Sequence, residues 1–147
     1  MKIVLGFDDS PHSQAALRWV CGQSWPAGSR VVVVSAVRAP VTMYAEVYAP
    51  AVAYPPEVAH DLALHHEELA KRARVELEAA GITAEARVLT GDPREVLVDL
   101  ARSEGADLVV MGSHGRTGLA KLVLGSVAAH VVGHAPCNVM VIKRPLR

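Results

Sequence analysis

The 147-residue sequence has no excess of charge of either sign, because its 15 Lys and Arg residues balance its 15 Asp and Glu residues. A broad surface for nucleic acid or for an anionic membrane needs a cationic excess. The first apolar run also ends at Asp8, far short of a signal-peptide core or a membrane span. We therefore expect a cytoplasmic protein with neither a nucleic-acid nor a membrane partner.

Cysteine and catalytic signatures are equally scarce. Cys21 and Cys137 are the two thiols, and no Cys-x-x-Cys spacing occurs, so the sequence gives no indication of a disulfide framework or a redox motif. No serine lies in a Gly-x-Ser-x-Gly elbow, and no pair of carboxylates is spaced for acid–base work. We interpret both cysteines as core-filling residues and predict no catalytic residue.

Hydrophobic residues make up 51% of the chain and charged residues 20%, which is typical of a globular protein. Apolar runs predict strands at 3–7, 31–37, 82–88, 107–111 and 138–142. Capping residues and apolar spacing predict helices that start at Pro11, Glu57, Pro93 and Ser126. This alternation predicts one α/β domain over residues 1–147, an open parallel sheet with helices on both faces. Four prolines and all three tyrosines set residues 38–56 apart as an exposed excursion.

The segment from Gly112 to Ser126 is the strongest candidate for chemistry. It follows a buried strand and precedes a helix, where backbone N–H groups can bind phosphate. Glycine lets the backbone approach an anion closely, although a glycine-containing loop can also do no more than turn the chain. The segment is neither a Walker A loop nor a Gly-x-Gly-x-x-Gly motif. A phosphate cradle and a plain turn both remain open at this point.

Asp8 is the second candidate. In an open parallel sheet, ligands bind at the carboxyl ends of the strands that flank the reversal of strand order. If the first and fourth strands are neighbours there, Asp8 and Gly112 converge on one crevice. A carboxylate at that place suits ribose hydroxyls or a metal, whereas the alternative is a turn residue or a helix cap.

The histidines indicate no metal site. Leu62, Leu69, Ala73 and Leu77 form the predicted inner stripe of the 57–80 helix, and we assign its histidines, His60, His65 and His66, to a solvated face. His130 and His134 are one helical turn apart without an evident Glu or Cys partner, so we interpret them as structural. His114 lies inside the glycine-containing segment, where it can donate to a phosphate or hold the loop.

Several motifs together resemble the universal stress protein family. The spacing Gly112-x2-Gly115-x9-Gly125-Ser126 matches the G-x2-G-x9-G-[S/T] signature of its nucleotide-binding branch. The first strand ending in Phe7-Asp8-Asp9-Ser10, the Gly91-Asp92-Pro93 turn, the run 105–112 and the segment 134–139 also match, in the family's order. Asp9 departs from the Asp-Gly-Ser pattern that the family more often has.

The resemblance implies the strand order 3-2-1-4-5, with ATP bound where the order reverses. Gly6, Phe7 and Asp8 would contact adenine and ribose, and Ala36 would flank the adenine. The phosphates would be surrounded by Gly112, His114, Gly115, Arg116, Gly125, Ser126 and Val127. Met111 and Ser113, in the same segment, complete the nucleotide-binding set. Arg116 and Lys121 favour a triphosphate, and Mg²⁺ would accompany it near Asp8 if a metal is present.

The resemblance also implies a homodimer. The last strand, with Val139, Met140, Val141 and Ile142, would be an aggregation-prone edge if it were bare; its alternative cover is the chain's own tail. We expect an ATP-binding, dimeric stress-response regulator or sensor with little turnover. The alternatives are a slow ATPase or self-phosphorylating enzyme, a cyclic-AMP binder, and a nucleotide-free dimerisation module.

Overall fold

The computed structural model describes residues 1–38, 56–115 and 124–144. The interior of the 38–56 excursion, together with Arg116 and Lys121, lies outside these ranges. The elements in chain order are β1 (Lys2–Gly6), α1 (Pro11–Cys21), β2 (Arg30–Val37), α2 (Pro56–Ala79), β3 (Thr83–Thr90), α3 (Pro93–Glu104), β4 (Leu108–Gly112), α4 (Ser126–His134) and β5 (Asn138–Ile142). Every predicted helix and strand is present, with ends that shift by up to two residues.

The five strands form one all-parallel sheet in the order β3-β2-β1-β4-β5. The predicted fold is therefore confirmed. Strand β1 lies in the middle, where Leu5 pairs with Val33 on one side and Val110 on the other. The chain moves outward from β1 to β3 and then returns to β4, so strand order reverses between β1 and β4.

Apolar residues on alternate positions of the strands build a core on each face of the sheet. Ile3 and Leu5 pack with α1 and α2 on one face. Val4 and Val109 pack with α3 and α4 on the other. Cys21 and Cys137 are free and join these two cores from their margins, and burial raises the pKa of both thiols.

Local signals set the helix starts as predicted. Ser10 Oγ accepts the backbone N–H of Ser13 at 3.1 Å, with Pro11 at the first helical position. Asp92 accepts the N–H of Arg94 at 2.9 Å, and Pro93 follows it. The capping box predicted for Glu95 is wrong, because its carboxylate lies 3.3 Å from Nε2 of His130 on α4.

Two assignments of helix faces need correction. Leu62 is half-exposed, whereas His66 is buried with Leu69, Ala73 and Leu77. The solvated face predicted for the histidines of α2 is therefore wrong for His66. Within the described ranges, no helix combines the length and the apolar character that a membrane span requires.

Candidate functional site

A cavity of about 550 Å³ opens at the carboxyl ends of β1, β2 and β4, where strand order reverses. The described residues from the sequence-predicted set all line it, namely Gly6, Phe7, Asp8, Ala36, Met111, Gly112, Ser113, His114, Gly115, Gly125, Ser126 and Val127. Arg116 lies outside the described residues. The fold thus brings Gly6 and Val127, which are 121 residues apart in the sequence, to one crevice.

The carboxylate of Asp8 accepts a hydrogen bond within a turn and also lines the cavity. Its Oδ1 atom accepts the backbone N–H of Ser10 at 3.1 Å. Its Oδ2 atom lies beside Gly115, where a Cβ would be 2.9 Å away. The interpretation of Asp8 as a turn residue is therefore confirmed, and the same carboxylate lies at the wall of the cavity; its contact with a ribose or a metal stays a prediction.

Asp9 faces away from this cavity. Its Oδ1 atom accepts Nε2–H of Gln14 at 2.8 Å, and its Oδ2 atom pairs with Nη2 of Arg72 at 3.1 Å. The backbone of Asp9 has a φ of 62°, in the left-handed region that favours glycine. The departure from Asp-Gly-Ser is thus accommodated between α1 and α2, and Asp9 is not among the residues that line the cavity.

The loop after β4 is held by contacts within the chain. The N–H of Gly125 donates to Ser113 O at 2.8 Å, and Ser10 Oγ donates to His114 O at 3.3 Å. A Cβ on Gly112 would lie 2.6 Å from the carbonyl carbon of His12, and one on Gly125 would lie 2.9 Å from Ser113 O. These two glycines are therefore required by close backbone packing, in addition to any approach by a ligand.

Helix α4 begins at the cavity without a side-chain cap. Gly125 is its N-cap residue, and Ser126, Val127 and Ala128 of its first turn line the cavity. The first N–H groups of a helix have no intrahelical acceptor, and the helix dipole adds a partial positive charge there. This end of the cavity therefore offers hydrogen-bond donors and a field that suit an anion.

His114 and His12 form a ring pair beside the loop, with centroids 5.2 Å apart. Burial lowers the pKa of His12, His114 and Arg144 lower it further, and Asp8 opposes them. Nδ1 of His114 lies 3.1 Å from Ser113 Oγ. The imidazole of His114 is therefore held against the loop, as expected if His114 holds the loop in place, which is one of the two roles predicted for it.

The sequence did not predict the remaining wall residues. They are Ser13, Val34, Arg38, Leu62, His66, Pro93, Leu97 and Ala128. Leu62 and His66 are four residues apart on α2, and residues at this spacing lie on the same face of a helix. The sequence therefore indicated that these two residues share a face. Pro93 follows the Gly91-Asp92 turn, and only the packing of α3 over the sheet brings it to the cavity.

The described residues contain no group of three or more His, Cys, Asp or Glu side chains that could hold a metal ion. His130 and His134 stack with ring centroids 4.1 Å apart. The expectation that they lack an acidic partner is wrong, because Glu95 contacts His130. Their assignment as structural residues stands, since these contacts join α4 to α3.

Comparison with known proteins agrees with this architecture. The model of the universal stress protein family matches residues 1–143. The universal stress protein in the QAH/OAS sulfhydrylase 3′ region of Thermus aquaticus is 32% identical over 145 residues, covering 96% of this chain and 97% of the relative. Alignments to MJ0531 and MJ0577, two universal stress proteins of Methanocaldococcus jannaschii, span only 46% and 43% of those relatives.

Solved structures share the fold over nearly the whole chain. The structure of MJ0577 superposes with a TM-score of 0.84 at 27% identity, covering 99% of this chain and 97% of that one. A universal stress protein in complex with cAMP has a TM-score of 0.65 at 26% identity, covering 97% and 96%. The sheet order, the motifs and these matches lead to one conclusion: the chain belongs to the universal stress protein family.

Proposed function

We propose that this protein binds an adenine nucleotide, ATP, in the cavity at the reversal point of the sheet. The observation that carries the proposal is the convergence of β1, the loop after β4 and the start of α4 on that cavity. Its volume of about 550 Å³ lies within the range of roughly 300–1,000 Å³ that is usual for ligand cavities. The related structure in complex with cAMP supports an adenine ligand.

The chemistry of the wall suggests how ATP would lie. The triphosphate would be held by the backbone of 112–115 and by the start of α4, with Ser126 as a hydroxyl donor. The ribose would face Asp8, whose carboxylate accepts hydrogen bonds from hydroxyl groups. The adenine would extend towards the end of β2, where Ala36, Leu62 and Leu97 form an apolar wall. Mg²⁺ would enter with the phosphates.

We propose a dimeric stress-response regulator or sensor in which ATP is bound with little turnover. Asp8 is the carboxylate among the described wall residues, and one of its oxygens already accepts the N–H of Ser10. A general base for water would need an acceptor aimed at the phosphates. Binding is therefore better supported than hydrolysis, and the dimer would form through the edge strand β5.

The first experiment identifies the ligand. The purified protein is denatured and the released nucleotides are identified by mass, and ATP and cAMP binding are then measured by calorimetry. ATP in the released fraction, or ATP binding stronger than cAMP binding, is the expected result. No bound nucleotide and no calorimetric signal would overturn the proposal, and preferential binding of cAMP would replace ATP as the ligand. Phosphate release at one equivalent per protein or more would favour the enzyme alternative.

A matched pair of variants locates the site. Asp8→Asn should weaken ATP binding about tenfold, because the amide has lost one acceptor oxygen and the negative charge. Asp99→Asn makes the same change on the exposed face of α3, where the carboxylate pairs with Arg102, and should leave ATP binding unchanged. Equal effects of the two substitutions would place the nucleotide elsewhere.

A further inference from the structure

A histidine of α1 lies behind the loop that the phosphates would contact. His12 is the second residue of α1, and a Cβ built on Gly112 would lie 2.7 Å from the Cβ of His12. The ring centroid of His12 is 5.2 Å from that of His114. His114 lines the cavity and His12 does not, so His12 packs behind the wall of the cavity rather than in it.

The charged groups of the described residues that act on the His12 imidazole come from three other parts of the fold. His114 follows β4, Arg144 follows β5 and Asp8 follows β1. Burial lowers the pKa of His12, His114 and then Arg144 lower it further, and Asp8 opposes them. The N-terminus of α1 also carries a partial positive charge, which disfavours a cation in the first turn. A proton on His12 is therefore unfavourable in the absence of a bound anion.

A bound triphosphate would reverse this balance. Seated on the backbone of 112–115 as proposed, it brings several negative charges to the loop against which His12 packs, and it keeps a net negative charge with Mg²⁺ bound. Opposite charges nearby favour the protonated form of a histidine. Because His12 is half-buried, salt screens this attraction less than it would at an exposed side chain. A bound nucleotide therefore favours the protonated imidazole.

We propose that binding of the nucleotide is coupled to uptake of a proton by His12. The proton comes from solvent and returns to it when the nucleotide dissociates, and no bond of the nucleotide is formed or broken. The inference rests on the proposed function, because it names the regulation of that same site. Linkage is reciprocal, so ATP raises the pKa of His12 and acidification tightens the binding of ATP.

The pH range of the effect follows from its sign. The additional affinity is fully present below the pKa of His12 in the free protein, which is lower than the ordinary value of 6.5. It is lost as the pH rises through the higher pKa that His12 has in the complex. Affinities measured at about pH 5 and about pH 8 therefore bracket the effect.

Calorimetric titration with ATP at these two pH values tests the coupling. The ratio of the affinity at the lower pH to that at the higher pH should be about fivefold larger for the wild type than for His12→Gln, whose side chain does not titrate. The control His60→Gln removes an exposed histidine of α2 outside the cavity wall and should match the wild type. The γ-phosphate of ATP titrates in the same range, but it contributes equally to all three proteins, so the comparison isolates His12.

NMR of the wild type measures the proton on His12 directly. The ring resonances, assigned by their absence from the spectrum of His12→Gln, should titrate without ligand at a midpoint below 6.5. ATP should raise this midpoint by about 0.7, which corresponds to the fivefold ratio. Adenosine has no phosphates and should leave the midpoint in place. Should the variant fail to fold, through-bond assignment of the wild-type ring gives the same titration.

The outcomes distinguish the two proposals. If the wild type binds no adenine nucleotide, the proposed function and this inference both fail. If ATP binds but His12→Gln keeps the pH dependence of the wild type, or ATP leaves the midpoint of His12 in place, only the coupling through His12 is overturned. A midpoint that adenosine raises as much as ATP does would also overturn it, because the phosphates would then not be the cause.

Discussion

Oδ2 of Asp8 lies within van der Waals distance of the place where a side chain on residue 115 would begin, since a Cβ built on Gly115 would be 2.9 Å from it. The end of β1 and the loop after β4 therefore approach so closely that a side chain on residue 115 would force the Asp8 carboxylate to move. Gly115 has no positive φ that would itself demand glycine. The constraint on a side chain at this position thus comes from Asp8, which lies across the point where strand order reverses.

Gly115→Ala is expected to weaken ATP binding about tenfold, because the new methyl group displaces the Asp8 carboxylate from the cavity wall. Stability should change little, since residue 115 is exposed and the clash is with the end of a side chain. Calorimetric titration and thermal unfolding measure the two effects. Gly133→Ala is the control, because a Cβ on this helical glycine meets nothing within 4 Å. It should bind ATP normally and be more stable by about 0.5–1 kcal/mol; matching losses of binding in both variants would contradict the prediction.

Substitutions at Asp9 should affect stability and not binding, because its carboxylate contacts Gln14 and Arg72 outside the cavity. Asp9→Ala and Asp9→Gly lose the same contacts, but alanine keeps a Cβ at a φ of 62°. Asp9→Ala should therefore unfold about 1 kcal/mol more easily than Asp9→Gly in urea. Both variants should bind ATP like the wild type. Weakened binding in Asp9→Gly would show that this carboxylate acts on the site.

Asp92 should make stability depend on pH in the acid range. A hydrogen bond from the Arg94 guanidinium, and after it the Arg94 backbone N–H, lowers the pKa of this carboxyl from 3.8 to about 2 against the opposing effect of burial. A carboxyl whose pKa is lower in the folded state stabilises the protein above its unfolded pKa, and the effect is lost as pH falls towards the folded pKa. The stabilisation should thus decline between about pH 4 and pH 2.

Two variants test this expectation. Asp92→Ala should lower the free energy of unfolding by about 1 kcal/mol at neutral pH, because the helix cap is lost. On acidification, the difference in this free energy between the variant and the wild type should shrink. Asp92→Asn keeps a capping oxygen but has no charge, so its free energy of unfolding should differ less from that of the wild type. That difference should vanish as the pH approaches about 2, the pKa of Asp92 in the folded protein. Denaturant unfolding at a series of pH values measures both. A difference that is constant with pH would contradict the argument.

The edge strand β5 provides the test of the proposed dimer. Met140 is 39% exposed on this strand, and among the described strands β5 pairs with β4 alone. A lysine there would place a charge on the edge and oppose pairing with a second copy. Met140→Lys should therefore shift the protein from dimer to monomer in analytical ultracentrifugation. Val75→Lys adds the same charge on exposed α2 and should stay dimeric; a dimer that survives Met140→Lys would exclude β5 as the interface.

Much of the fold could be predicted because its signals are local. Ser10-Pro11 and Asp92-Pro93 cap helices through atoms two or three residues away, and β5 consists of the residues that its apolar run predicted. Alternation of helix and strand then leaves a parallel sheet as the economical arrangement. The glycine-containing segment that follows β4 was also singled out from the sequence, and its described residues Gly112–Gly115 and Gly125–Ser126 line the cavity.

Tertiary structure decided which way the polar groups face and what each glycine contacts. His66 has the spacing of the inner stripe of α2, yet a histidine is buried only where a partner satisfies it, and that partner, Ser35, comes from another element. Asp8 and Asp9 are adjacent, but the left-handed backbone at Asp9 and its contact with Arg72 separate their roles. Local interactions are encoded within a few residues of sequence, whereas these depend on elements that meet only in the folded chain.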